Sequence, residues 1–219
     1  MRPNGSAVAV AVTAVLLAVT TGCGSEGGTS AVAAQEPAAK RSTLSTDKAA
    51  KSTLAGLVVL PRGYVADPRN STGPFTATTY LSTWSADPAL DRALLLNASF
   101  VEGYRATRLS PDKKKRYTIQ LFKTGSAAKA KALQKGLWGQ EVHDQPFGVP
   151  NALSDARVEY DGGAQQSVAI AEAILAVGPM VVELTVREAA PLGTTLTPDT
   201  ALITTVAKTQ RARLSATSS

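Results

Sequence analysis

The chain of 219 residues is long enough for one ordinary domain with appendages, and its 44% hydrophobic and 18% charged content permits a packed core. Aromatic residues make up only 5%, which argues against a base- or sugar-stacking surface, and a net charge of +6 spread along the chain reads as solvated surface, with attraction to anionic lipid or wall polymer as the alternative. Cys23 is the single cysteine and His143 the single histidine, so an intramolecular disulfide and zinc sites built from several His or Cys are excluded by count.

Arg2 gives a short positive start, and Ala7–Thr20 follows without a charge. That run has the length of a signal-peptide apolar region and falls short of the ~20 residues that a membrane span needs. Val19-Thr20-Thr21-Gly22-Cys23 comes next. It resembles the lipobox of bacterial lipoproteins, in which small or apolar residues and a Gly precede the Cys that is acylated and becomes the new N-terminus. Thr20 departs from the motif, which usually has Leu there. The resemblance implies a signal peptide over 1–22, lipidation (palmitate-type acylation) of Cys23, and an exported chain held at the outer face of the cell membrane. Two or more acyl chains anchor stably, where one binds only marginally. A plain secretory signal and an uncleaved anchor are the alternatives.

Residues 23–54 then read as the lipidated Cys and a tether. Gly24–Lys51 is rich in Gly, Ser, Thr, Ala and Lys, with Val32 and Leu44 as its larger aliphatics. Such a segment buries too little apolar surface to offset its ordering entropy. A short Ala-rich helix near Asp47–Leu54 is the alternative.

A single domain is expected over 55–215. Leu57–Leu60 reads as a short strand ended by Pro61, and Arg62–Phe75 as a loop. Thr76–Trp84 fits strand or helix. Asp87-Pro88 opens a helix to about Ser99, with Leu90, Leu94 and Asn97 on one stripe that Leu95 and Leu96 widen. Glu102–Leu109 and Arg116–Lys123 flank Ser110–Lys115 as a hairpin; Tyr117, Ile119 and Leu121 share one face of its second strand, and Thr118, Gln120 and Phe122 the other. Gly125-Ser126 starts a helix through Trp138, buried along Ala130, Leu133 and Leu137. Ala156–Tyr160 and Ser167–Val177 are strands joined by a tight turn at Asp161-Gly162-Gly163; Met180–Glu188 is the next strand, and Thr197-Pro198 starts a last helix. The expectation is an α+β fold, an antiparallel sheet of hairpins covered by helices on one face.

Chemistry is less legible. His143 stands in the polar loop Gln140–Asp144 and reads as solvent-exposed, with Glu141 a weak partner for a metal. No Gly-x-Ser-x-Gly elbow, phosphate loop or dinucleotide fingerprint occurs, and Ser126–Lys129 is better explained as a helix cap than as a Ser-Lys pair. The expected protein is non-enzymatic, with no cofactor, no metal site and no nucleic-acid partner. Tyr104, Arg105 and Arg108 share one hairpin strand, with Trp84 and Trp138 nearby in the plan, and are the candidate ligand-binding residues. Glu172 and Glu183 interrupt two apolar strands, which places them at a sheet edge or beside an Arg in a half-buried pair.

The order helix, Val-Glu-Gly-Tyr-Arg strand, hairpin, Tyr-Thr-Ile-Gln-Leu-Phe strand and Ala-Lys-rich helix over Leu90–Trp138 resembles membrane-anchored lipoproteins and sensor-type extracytoplasmic domains of high-GC, streptomycete-like actinobacteria. The resemblance is architectural and carries no catalytic motif. It implies a ligand-binding or sensing domain outside the membrane, its partners the membrane through the lipid and an envelope ligand or protein. An accessory protein docking on another protein or on wall polymer is the alternative. Cys23→Ser is expected to move the protein from the membrane fraction to the soluble fraction of fractionated cells; retention on membranes would contradict the lipid anchor.

Overall fold

The computed structural model describes residues 53–143 and 145–217. The expected signal peptide, Cys23 and the expected tether as far as Ser52 lie outside the described residues. Seven strands form one antiparallel sheet: β1 (Val65–Ala66), β2 (Gly73–Phe75), β3 (Glu102–Leu109), β4 (Lys115–Lys123), β5 (Leu153–Asp161), β6 (Gln166–Val177) and β7 (Met180–Pro191). The helices are α1 (Ala77–Thr83), α2 (Pro88–Asn97), α3 (Ala127–Trp138) and α4 (Thr200–Thr217). The spatial order is β1-β3-β4-β7-β6-β5, with β2 also paired to β3. The hairpin β3–β4 and the meander β5–β6–β7 are joined where β4 pairs β7, from Lys115↔Glu188 to Lys123↔Met180. The expected α+β antiparallel plan is present.

Local chemistry sets the element ends. Thr76, Asp87 and Ser126 accept hydrogen bonds from the first free N–H groups of α1, α2 and α3, and Pro88 opens α2. Asp199, not Thr197, caps α4, its carboxylate accepting from Leu202 N at 3.1 Å, so that helix starts slightly later than the Thr-Pro pair implies. Gly178 adopts φ +54° in the two-residue turn between β6 and β7, a left-handed conformation that suits glycine.

The pleat gives the sheet two unlike faces. On one, Tyr117, Ile119 and Leu121 of β4, Val182, Leu184 and Val186 of β7, and Ala171, Ala173 and Leu175 of β6 join Ile203, Val206 and Leu214 of α4 in a continuous core. On the other, Phe122, Val181 and Ile174 pack with Leu95, Leu133, Leu137, Phe75 and Tyr80, beneath α1, α2 and α3. Helices therefore cover both faces, not the single face expected. The apolar residues on both sides of β4, β6 and β7 require it, because an uncovered apolar face would stand in water.

Two further expectations change. Residues Thr53–Leu57 form a 3-10 turn and Val58–Leu60 pairs with no strand. Its backbone is bonded instead by side chains. Gln210 of α4 accepts from Val59 N at 2.8 Å and donates to Leu57 O at 2.8 Å, Arg213 donates to Val58 O at 2.7 Å, and the Tyr117 hydroxyl donates to Val59 O at 3.0 Å. On α2 the buried residues are Asp91 and Leu95, while Leu90 is 44% and Leu96 72% exposed, so the stripe is displaced by one residue to bury a carboxylate.

Gln210 is wholly buried and satisfies two backbone groups at once. Replacing Gln210 by Ala orphans both, at about 1–3 kcal/mol. For a domain of this size that corresponds to a fall in Tm of about 3–10 °C. Thermal unfolding of the full chain checks it; an unchanged Tm would mean that water takes over both bonds.

Candidate functional site

The face under α1, α2 and α3 is apolar for only part of its length. Across the strands, Gly103, Phe122, Val181 and Ala176 stand in one register row. The next rows are Arg105–Gln120–Glu183–Ile174, then Thr107–Thr118–Thr185–Glu172–Asp155, then Leu109–Arg116–Arg187–Ile170–Arg157. The helices sit over the apolar row and stop short of the polar ones. A cleft of about 840 Å³ remains there. Its floor holds Arg105, Gln120, Glu183, Thr185, Glu172 and Arg187. Its walls come from Tyr80 and Trp84 at α1, Leu90 and Asp91 on α2, and Trp138 and His143 at the end of α3.

One wall is built on Asp91. Its carboxylate is buried and accepts from the Ser85 hydroxyl at 2.5 Å and from Gln140 Nε2 at 2.7 Å, which ties the α1–α2 turn and the segment after α3 to α2. Burial first, then the charges of Glu183 and Asp91, hold the neighbouring Tyr80 phenol far above its ordinary pKa.

Arg105 lies over Trp84, its guanidinium carbon 4.8 Å from the ring centroid. Burial depresses its pKa, partly offset by Glu183. Glu183 accepts from Gln120 Nε2 at 2.9 Å. Desolvation, reinforced by the charges of Asp91 and Glu172, pushes the Glu183 carboxyl up to about 8 despite the opposing charge of Arg105. Glu183 is thus largely protonated at neutral pH, and the Gln120 Oε1 beside it is buried with no hydrogen-bond partner among the described residues.

The far end of the cleft is organised by Arg157. Its guanidinium bonds Glu172, reaches Glu141 at 2.7 Å and Glu159 at 2.5 Å, and lies 3.4 Å from Asp155. Burial opposes its charge, but the hydrogen bonds to Glu159 and Glu172 outweigh that and raise its pKa. Glu172, in turn, is raised by burial, with Arg157 partly opposing. His143 is not the solvent-exposed loop residue expected. Its ring stacks on Trp138 at 3.5 Å between centroids, and its side chain is only 13% exposed. Nε2 lies 2.8 Å from Trp138 O, and because a carbonyl only accepts, that nitrogen carries the proton. Nδ1 stands 3.6 Å from Glu172. His143, Asp155 and Glu172 bring donor atoms within 4.8 Å of one another, a spacing suited to a divalent ion. Arg157 already supplies positive charge to both carboxylates, and Asp155 also accepts from Gln145 N at 2.7 Å. The donor set is thus arranged for a guanidinium rather than a metal.

Of the three residues singled out on β3, the structure brings Arg105 alone into the cleft. Tyr104 points to the opposite face and packs against the core there. Arg108 shares that parity and donates to Thr72 Oγ1 at 3.2 Å, beside the short edge strands. The two Trp residues do come together on the cleft. Glu172 is the half-buried Arg partner foreseen, with Arg157, and Glu183 lies on a central strand rather than an edge. Sequence reading missed Asp91, Arg157 and Arg187. The alternation Val181, Glu183, Thr185, Arg187 was the available signal for the last of these.

A carboxyl with a raised folded-state pKa keeps a proton that the unfolded chain releases above its ordinary value of 4.5. Stability therefore falls as pH rises from there to about 8 and then levels off. Glu183→Gln removes this loss. The variant is expected to unfold at a higher temperature than the parent at about pH 8, with the gap closing by about pH 4. A gap of equal size at both pH values would contradict the assignment.

No protein-family model matches the chain, and no curated protein does. Among solved structures, the extracellular domain of PknH from Mycobacterium tuberculosis is similar, with 9% identity and a TM-score of 0.42, covering 77% of this chain and 95% of that one.

Proposed function

We propose that the chain is a non-enzymatic ligand-binding or sensing domain of the cell envelope, exported and held at the outer face of the membrane by lipid on Cys23, with the cleft as its ligand site. The observation that carries this reading is the cleft of about 840 Å³, lined by two tryptophans, a largely neutral carboxyl and a guanidinium that no carboxylate bonds among the described residues. An aromatic wall beside convergent polar groups is a feature of small-molecule sites. The lipobox at Val19–Cys23 supports the location, and among the described residues no helix is long and apolar enough to cross a membrane. Two acids of the cleft are engaged in structural roles: Asp91 ties three segments together, and Glu172 neutralises Arg157. Val158, Tyr160 and Leu192, 50%, 60% and 52% exposed at one end of the sheet, favour docking on a protein or wall polymer as the second reading.

The chain has two tryptophans and both line the cleft, so its intrinsic fluorescence reports that site. Titrating the full chain with the low-molecular-weight fraction of an envelope extract is expected to shift the emission and raise Tm together. Ligand at a hundredfold excess over Kd adds about 2.7 kcal/mol to stability. An extract that moves neither signal would overturn the ligand-binding reading.

A further inference from the structure

We infer that the cleft takes a monocarboxylate with a flat apolar body, its carboxylate on the free edge of the Arg105 guanidinium and its body along the Trp84 wall, an inference that rests on the cleft being the ligand site.

The cations around the cleft are not alike. Arg116 pairs with Asp67 at 3.0 Å, and Arg157 is held by four carboxylates. Arg105 is half-buried, and among the described residues no carboxylate or carbonyl hydrogen-bonds it. Trp84 lies against its guanidinium, and Arg105 lines the cleft. A half-buried guanidinium without a partner is costly, and a carboxylate is the group whose two oxygens match its fork of N–H groups. Glu183 does not take the place, because its carboxyl bonds Gln120 and is largely neutral below about pH 8. A neutral carboxyl next to a cation leaves the positive charge uncompensated and adds an O–H that can donate to an incoming anion.

The remaining charges decide which anion. The other guanidinium of the floor that no carboxylate bonds among the described residues, Arg187, is exposed and adds its positive charge to the field at Arg105. Water solvates Arg187, so one negative charge is what the half-buried Arg105 lacks. At the far end Glu141 and Glu172 already pair with Arg157, which leaves that guanidinium no place for a second carboxylate on the ligand. Between the two ends, Tyr80, Trp84 and Leu90 present a largely apolar wall.

The test uses the full chain labelled with 15N at its two indole N–H groups, titrated with benzoate, benzamide and phenyl phosphate. Benzoate is expected to move the Trp84 signal with a Kd about tenfold below that of benzamide, the difference that one charge-assisted bidentate contact gives. Its advantage is expected to shrink as pH rises through about 8, where Glu183 ionises in the company of Arg105 on β3, Gln120 on β4, Glu172 on β6, Tyr80 on α1, Asp91 on α2 and Glu141 beyond α3. Arg105→Gln is expected to bring benzoate close to benzamide, and folding of the variant is read from the same two indole signals. Benzamide binding as tightly as benzoate to the parent protein overturns the inference without recourse to any variant. Phenyl phosphate binding more tightly than benzoate overturns the carboxylate assignment. If the extract moves the indole signals and none of the three probes does, this inference fails while the ligand-binding reading stands; if the extract also fails, both fall.

Discussion

The pleat of the three central strands governs everything else in this molecule. β4, β7 and β6 run antiparallel in strict register, so alternate residues are committed to opposite faces and rows of side chains line up across the sheet. One face is apolar along its whole central length and is covered by α4. The other changes character partway: Phe122 and Val181 give way to Gln120 and Glu183, then to Thr118 and Thr185, then to Arg116 and Arg187. Helices α1, α2 and α3 have an apolar surface to bury only over the first of these rows. The cleft is the stretch of sheet that the hydrophobic effect gave them no reason to cover.

Holding such a cleft open takes a rigid rim, and polar contacts provide it. Asp91 is the buried carboxylate that joins the α1–α2 turn, α2 and the segment following α3. At the other side, Arg157 draws β5, β6 and the loop carrying Glu141 together, and His143 closes against Trp138. Each of these groups would be expensive if left alone away from water, so each holds its neighbours in one arrangement. The stacked and edge-on rings of Phe75, Tyr80, Phe100, Phe122 and Trp84 fill the space beneath, which gives the wall its stiffness.

Much of this was legible from periodicity and punctuation. The hairpin at Ser110–Lys115, the Ser126 cap, the Asp87-Pro88 start and the two faces of β4 follow from local chemistry that tertiary structure did not override. What failed to read out depends on partners distant in sequence. Leu57–Leu60 looks like a strand because Val and Leu favour one, yet its hydrogen bonds go to α4 more than 150 residues away. Helices on both faces follow from apolar residues at both parities of β4 and β7, but which helix takes which face is a matter of topology. The cleft suffered most. Glu172 and Glu183 were visible as interruptions, while their alignment with Arg105, Gln120 and Thr185 needs the β4–β7 pairing, which joins strands that are far apart in the chain. Tyr104 and Arg105 are neighbours in sequence and, for the same reason of pleat, belong to different sides of the molecule.

The bonds around Leu57–Val59 have a mechanical consequence. A pull applied to the chain at Thr53–Leu57 does not peel a strand from a sheet edge. It is taken up by Gln210 and Arg213 of the last helix and by the hydroxyl of Tyr117, near the start of β4. Tyr117 sits between Arg116 and Thr118, whose side chains face the cleft on the reverse of the same strand. The bonds to Leu57–Val59 and the floor of the cleft thus meet on one stretch of backbone from opposite sides, which makes β4 a beam shared by the first described turn and the cleft.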